Sequence, residues 1–425
     1  MLKSKKHLKI GIFDQWEINL SLHLIMNKSN FAEGAYGCVF YPRLTCKGGQ
    51  EQEYDNFISK IVRKNFYGDN EIYIGKYIRE RLLGIWQKFF APALHNCSIN
   101  ISRFTNVDLD QCDIVKKYKK SPFMLLKIPF IGYKSYYSTY QDYVVQNINP
   151  REIVLNLISG YKHLLQALIE LQKDSVRVCH FDLNETNILF SEDQSVPIII
   201  DFNLSFTPLR LTTNLRDYFY IFAPEYSTWA LEIHYINFLL HEKDTPSYND
   251  IKAIAHTYVS NNKPLQLNFS EDFLNKYEKL CVDVLDGYRN GVLEIIDIIH
   301  NSWHTWDNYS LSIMYLRIIY YLNISFVHKK PVKSFVSNSF TVDFTQLLLK
   351  NIHPNPKFRY GVVKTKYTFD DFFYDENVNN VSNFQQILSQ FESSKDNLEQ
   401  IVSEDKHQMQ KLLKKMGTRR SKSVA

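Results

Sequence analysis

Asp182 and Asn187 stand five positions apart in VCHFDLNETNILF (Val178–Phe190), and a third oxygen-bearing side chain, Asp201, closes a run of isoleucines in IIIDFN (Ile198–Asn203). Two carboxylates and an amide so spaced can supply a base for a hydroxyl proton and hard oxygen ligands for metal ions. Phosphoryl transfer asks little more of a protein than a carboxylate beside the attacking hydroxyl and cations bridging the phosphate oxygens. In that chemistry Asp182 accepts the proton, while Asn187 and Asp201 ligate Mg2+, which favours oxygen donors and keeps several waters.

Phosphates also need a cradle. In FAEGAYGCVF (Phe31–Phe40), Gly34 and Gly37 lie three apart between two β-prone runs, with Val39 two residues further on. Lacking Cβ atoms, such a turn lets backbone N–H groups approach phosphate oxygens. Ala32 takes the place of a first glycine, and Ala35 and Tyr36 form the tip, so the three-glycine pattern is incomplete. On these residues alone an ordinary β-turn is an open alternative. Lys60 follows in ISK, where it can reach α- and β-phosphates if an acid from the next helix holds it. Glu71, early in that helix, is the expected partner. Glu80 is nine residues on, about two and a half turns, and faces the opposite side.

The surrounding pattern must position these groups. Leu22–Leu44 reads as strand, glycine turn and strand, and Asn56–Lys64 as a third strand. Asp69–Phe90 opens on an Asp-Asn cap and repeats apolar residues at helical spacing. APALHNCSINI and PFMLLKIPFIG read as two more strands. From about Pro150 the pattern turns helical, beginning with Arg151–Lys173, and a further helix begins near Trp306. Asn383–Lys415 is a polar helix with weak periodicity. No internal repeat interrupts this order.

Composition bounds the rest. The chain has 425 residues, 45% hydrophobic and 22% charged, as expected of ordinary globular domains. The net charge of +5 is concentrated at the ends, with four lysines in Met1–Ile10 and seven Lys or Arg and no acid in Lys406–Ala425. Such tails are usually solvated, and weak contact with an acidic partner or surface is the alternative. No sequence-specific nucleic-acid domain is expected. Six scattered cysteines without a C-x-x-C pair predict reduced, packed thiols in an intracellular protein. No signal peptide is expected. Tyr309–Val327, with Arg317 in its middle, predicts a buried core helix rather than a membrane span.

Taken together, the sequence resembles a eukaryotic-type protein kinase, a divergent one similar to those of large DNA viruses. HFDLNETN fits the catalytic loop H-x-D-L-x-x-x-N at His180, Asp182 and Asn187, and IIIDFN fits the metal-binding D-F-x at Asp201. Gly34, Gly37 and Val39 match the glycine-rich loop and Lys60 the strand lysine. APE stands at Ala223–Glu225, Asp307 matches an aspartate that opens a buried helix, and Arg359 the arginine that pairs with the APE glutamate. The match covers about Leu22 to Phe373. The resemblance implies an α+β, bilobal fold with a small antiparallel sheet lobe carrying one helix and a larger helical lobe. The expected division is a basic extension at 1–21, an N-lobe at 22–128, a C-lobe at 129–375 and a polar helix with basic tail at 376–425. It further implies ATP and Mg2+ as cofactors, a protein substrate bearing a Ser or Thr hydroxyl, and a cytoplasmic setting, or a host cell or virion for a viral protein. A buried Glu225–Arg359 pair is expected to fix the substrate-binding segment.

Departures from the family pattern carry their own expectations. Phe181 replaces the usual catalytic-loop arginine, which predicts activity without phosphorylation of Thr212, Thr213 or Tyr218. Asn203 replaces the glycine of D-F-G, and Asn tolerates left-handed backbone well. Asn184 stands where Ser/Thr kinases carry lysine, which loosens the assignment of the acceptor hydroxyl. Ile58 replaces a small residue facing adenine and is expected to narrow that pocket. Some eighty residues separate Glu225 from Asp307, which predicts a helical insertion at about 227–304 that either recruits a partner or packs on its lobe. Two other functions compete: a small-molecule kinase of the aminoglycoside or choline type, against which APE, Asp307 and Arg359 argue, and a pseudokinase scaffold, which has no need to keep Lys60, Asp182, Asn187 and Asp201 together.

Overall fold

The computed structural model describes residues 30–34, 37–41, 43–46, 56–103, 109, 112–136, 138–139, 150–191, 196–291, 294–323 and 339–374. The basic segments at both ends, the expected strand residues before Asn30 and the polar helix at 383–415 lie outside them.

The fold is α+β, with a small antiparallel sheet followed by a mostly helical remainder. β1 (Asn30–Gly34), β2 (Gly37–Tyr41) and β3 (Phe57–Arg63) lead into helix α1 (Phe66–Arg81). β4 (Phe90–Ala91), β5 (His95–Ile99), the short α2 (Asp113–Lys117) and β6 (Phe123–Pro129) complete this half. The main sheet has the order β1-β2-β3-β6-β5, antiparallel throughout. Alternation along β3 and β6 separates two apolar faces. Ile61, Phe123 and Leu125 join Cys38 and Phe40 on one, while Val62, Met124, Leu126 and Ile128 join Ala91 and Ala93 on the other. Lys60 lies two residues before Val62 and therefore projects from that second face. Gly37 is required by closeness, since a Cβ there would sit 2.4 Å from the carbonyl oxygen of Ile61.

Helix α1 begins three residues before the expected start. Asn65 caps it by accepting from the Gly68 amide, and the helix ends at Arg81. Gly75, one turn beyond Glu71, lets α1 approach the backbone at Ala93, where a Cβ would meet the carbonyl oxygen at 2.5 Å. That contact fixes the height of the helix over the sheet.

The cysteines overturn the expectation of reduced thiols. Cys38 of β2 is bonded to Cys112, and Cys46 to Cys97 of β5, with Cα–Cα separations of 5.9 Å in both; Cys179 and Cys281 are free and buried. The bridges are nested, with sequence separations of 74 and 51 residues, and each ties a strand of the main sheet to a residue outside the strands, Cys112 at the start of α2 and Cys46 beyond β2, a proximity the spacing does not hint at. Closing loops of that length restricts the unfolded chain by about 4 kcal/mol for each bridge in the chain-entropy account, although nested loops do not add fully. A Cys38→Ser/Cys112→Ser variant is expected to unfold at a clearly lower urea concentration than the parent. Parent midpoints that coincide with and without dithiothreitol would mean the thiols are unpaired.

The helical part comprises α3 (Pro150–Gln172), α4 (Pro208–Thr213), α5 (Leu215–Tyr218), α6 (Leu231–His241), α7 (Tyr248–Ser260), α8 (Lys263–Asn268), α9 (Glu271–Asn290), α10 (Ile295–Asn323), α11 (Ser339–Asn351) and α12 (Val362–Tyr374). Between α3 and α4, β7 (Ile188–Phe190) and β8 (Pro197–Ile200) form a second sheet with β4 in the order β4-β8-β7. Helices α6 to α9 fill most of the expected insertion and pack around α10. Its central residues from Thr305 to Ile319 are all buried, as the Tyr309–Val327 pattern anticipated as far as it is described. No described helix is long and apolar enough to cross a membrane.

Two expectations about α10 and its surroundings are corrected. Asp307 does not open a helix, because α10 runs unbroken from Ile295 with no cap or breaker before Asp307. Arg359 does not pair with Glu225. Its partner is Glu232, in the first turn of α6, with both side chains fully buried.

Candidate active site

Lys60 reaches from β3 to two carboxylates. Its Nζ lies 3.0 Å from both oxygens of Glu71 and 2.9 Å from Oδ1 of Asp201, which follows β8 at a distance of 141 residues in sequence. Glu80 is exposed and faces Lys76 instead. Burial alone would lower the Lys60 pKa, but the charges of Asp201 and Glu71 reverse that and hold the ammonium above the ordinary lysine value. Two carboxylates share one ammonium. Burial pushes the Glu71 carboxyl up to about 7, with Lys60 opposing the rise and Asp201 adding to it.

Asp182 sits in a loop pinned at many points. Asn187 donates from Nδ2 to the Asp182 carbonyl (2.9 Å) and to Oδ2 (3.3 Å), while Asn184 and the Tyr226 hydroxyl donate to Oδ1 at 3.4 and 3.3 Å. Asp307 accepts the amides of His180 (2.7 Å) and Phe181 (2.9 Å), so a buried carboxylate of α10 fixes the loop from beneath. Glu185 forms a buried ion pair with Arg317, ten residues further along the same helix. The Asp182 and Asp201 loops are also joined to each other. Cys179 and Phe206 exchange both backbone bonds, and the Ile200 amide donates to the Asn187 carbonyl at 3.0 Å. The His180 ring donates from Nε2 to the Ile200 carbonyl, and burial lowers its pKa, so it stays neutral.

Phe181 and Asp201 adopt left-handed backbone, with φ of 68° and 62°. Non-glycine residues at such angles carry strain that their surroundings must hold in place, and these two flank Asp182 and the Lys60 contact. Asn203 is not the left-handed member of its loop, contrary to expectation. It is buried, with Nδ2 donating to Asp201 Oδ1 at 2.6 Å. Asn184 is likewise occupied inside the loop, accepting from the Thr186 amide and hydroxyl.

On the glycine turn, the register pairs Gly34 with Gly37, Ala32 with Val39, and Val39 with Lys60. Val39 is thus the cross-strand neighbour of Lys60 and shares its face. Ala35 and Tyr36, the expected tip, lie outside the described residues. Ile58 is on the Lys60 face, paired in register with Ile128 and packed against that apolar cluster.

Among the described residues no group of three or more His, Cys, Asp or Glu is placed to hold a metal. A magnesium ion bound with phosphates needs only one or two carboxylates and otherwise keeps water. The donor set fits that demand. Asn187 commits its amide nitrogen to Asp182, which leaves Oδ1 for a cation, and the surplus charge of Asp201 and Glu71 over Lys60 favours one.

Several residues of the site escaped the sequence reading. Glu232 left a faint signal, because Ala230-Leu231-Glu232 repeats an Ala-x-Glu pattern seven residues after Ala223-Pro224-Glu225. Tyr226, Asn70 and the Glu185–Arg317 pair left none, since each acts through a partner distant in sequence. No protein-family model matches this sequence, and no curated protein matches it either.

Proposed function

We propose that this chain is an ATP-dependent protein kinase of bilobal, kinase-like architecture that transfers the γ-phosphoryl group to a protein Ser or Thr hydroxyl. The observation that carries this reading is the Lys60–Asp201 contact of 2.9 Å, which unites the sheet's lysine with the loop that follows Asn187. Lys60, steadied by Glu71, meets the α- and β-phosphates. Asp182 orients the acceptor hydroxyl and takes its proton as the bond to γ-phosphorus forms and the bond to the ADP oxygen breaks. Asn187 and Asp201 would hold Mg2+, which when bound neutralises phosphate charge. Asn184 carries no charge to the phosphate, whereas Lys60, held beside Asp201, does.

Incubation with Mg2+, γ-labelled ATP and a panel of proteins tests the reading. The expected result is label on protein Ser or Thr, lost with EDTA and in Asp201→Asn. Transfer to an aminoglycoside or choline with none to protein would replace it by the small-molecule reading. Mg2+-independent nucleotide binding without transfer would replace it by a scaffold.

A further inference from the structure

We infer that Asn70 is a positioning residue that locks helix α1 onto the segment following Asp201, so that the Lys60–Glu71–Asp201 contact forms without phosphate on that segment. The inference rests on the kinase reading and adds to it how the site is kept assembled. Asn70 immediately precedes Glu71 and is fully buried. A buried carboxamide is costly unless it is hydrogen-bonded, and alanine is a better helix former at such a position. Here every bonding position is filled. Nδ2 donates to the carbonyls of Asn203 (2.9 Å) and Ser205 (2.8 Å), and Oδ1 accepts from Arg210 Nε (2.7 Å) and the Tyr218 hydroxyl (2.9 Å). Two carbonyls on one side and two donors on the other leave the amide a single orientation.

All four partners fall in residues 203–218, and further contacts converge on the same seam. Arg210 lies over the Tyr73 ring of α1 at 4.3 Å, so its charge is already engaged with the helix. The Tyr67 hydroxyl donates to the Asp217 carbonyl at 3.1 Å, and Phe66 meets Tyr218 edge-on at 5.1 Å. Where the family resemblance expects a basic residue beside Asp182, Phe181 packs among Phe206, Phe219, Trp229 and Trp306. The hydroxyls of this segment at which phosphate is in question are used locally. Tyr218 is buried against Asn70, and Thr212 and Thr213 donate to the carbonyls of Leu209 and Arg210.

The test measures steady-state transfer to a protein acceptor by the full chain, after exhaustive phosphatase treatment and removal of the phosphatase. The treated wild type is expected to keep its rate. Asn70→Ala is expected to lose about 10–100-fold in kcat, the scale of a misplaced catalytic group, with the KM for the protein acceptor unchanged. Should that variant fail to fold, Tyr218→Phe keeps the ring, removes one donor and is expected to lose about fivefold in kcat. Treated wild type that is silent until rephosphorylated would overturn the inference. So would an active wild type whose folded Asn70→Ala variant, or failing that its Tyr218→Phe variant, keeps full kcat; in both cases the kinase reading stands. A wild type that neither binds Mg-ATP nor transfers phosphate before treatment removes the kinase reading itself, and the inference with it.

Discussion

An Asp182→Asn variant is expected to transfer phosphate about 10²–10⁴-fold more slowly than the parent, the usual contribution of a positioned general base. The substitution keeps size and shape but replaces a proton acceptor by an amide. Asp182 receives the Tyr226 hydroxyl and Asn184 on one oxygen and Asn187 on the other, so its carboxylate is aimed before any substrate arrives. On the proposed reading the nucleotide contacts lie elsewhere, at Lys60 and Asp201, so Mg-ATP affinity measured by calorimetry should stay within a few-fold. A loss of affinity as large as the loss of rate would assign Asp182 to nucleotide binding rather than proton transfer. Equal label from both proteins would point to a contaminating activity.

The second large effect concerns stability. Arg359→Leu is expected to destabilise the helical part by about 3–5 kcal/mol, the cost of leaving one member of a buried ion pair without the other. All five N–H groups of Arg359 are engaged. Nη1 and Nη2 meet the two Glu232 oxygens, Nη1 also meets Thr305, Nη2 the Pro354 carbonyl, and Nε the His353 carbonyl. After the substitution Glu232 retains the Trp306 indole N–H at 2.7 Å as a named donor, too little for a fully buried carboxylate. Urea unfolding followed by tryptophan fluorescence measures the difference. A change below about 1 kcal/mol would place the pair among solvated surface bridges.

The candidate site was legible in the sequence where its residues are near one another or fall on a regular element. Asp182, Asn187 and Asp201 could be read from spacing, and helical periodicity alone separated Glu71 from Glu80. Legibility failed where a partner is chosen by three-dimensional packing. Arg359 faces two acidic candidates seven residues apart, and only the start of α6 at Leu231 brings the second into its reach. The nested disulfides join strand residues to residues outside the sheet, a tertiary proximity that spacing does not encode. Asp307 is singled out by the family resemblance, yet the helix-opening setting carried over with it does not hold, because the helical pattern here already begins at Ile295. Propensity assigns the left-handed residue of the D-F-N loop to Asn203, whereas the structure places it two residues earlier, at Asp201, which contacts Lys60 and Asn203.

Helix α10 grips the Asp182 loop at Asp307 and again at Arg317, about 15 Å apart along its axis at the usual helical rise. A loop clamped at two points to a buried helix has already surrendered its conformational freedom during folding. In the proposed kinase an arriving acceptor would therefore meet a frame that need not be ordered afresh, and the entropy of arranging the reacting groups would be settled before the encounter.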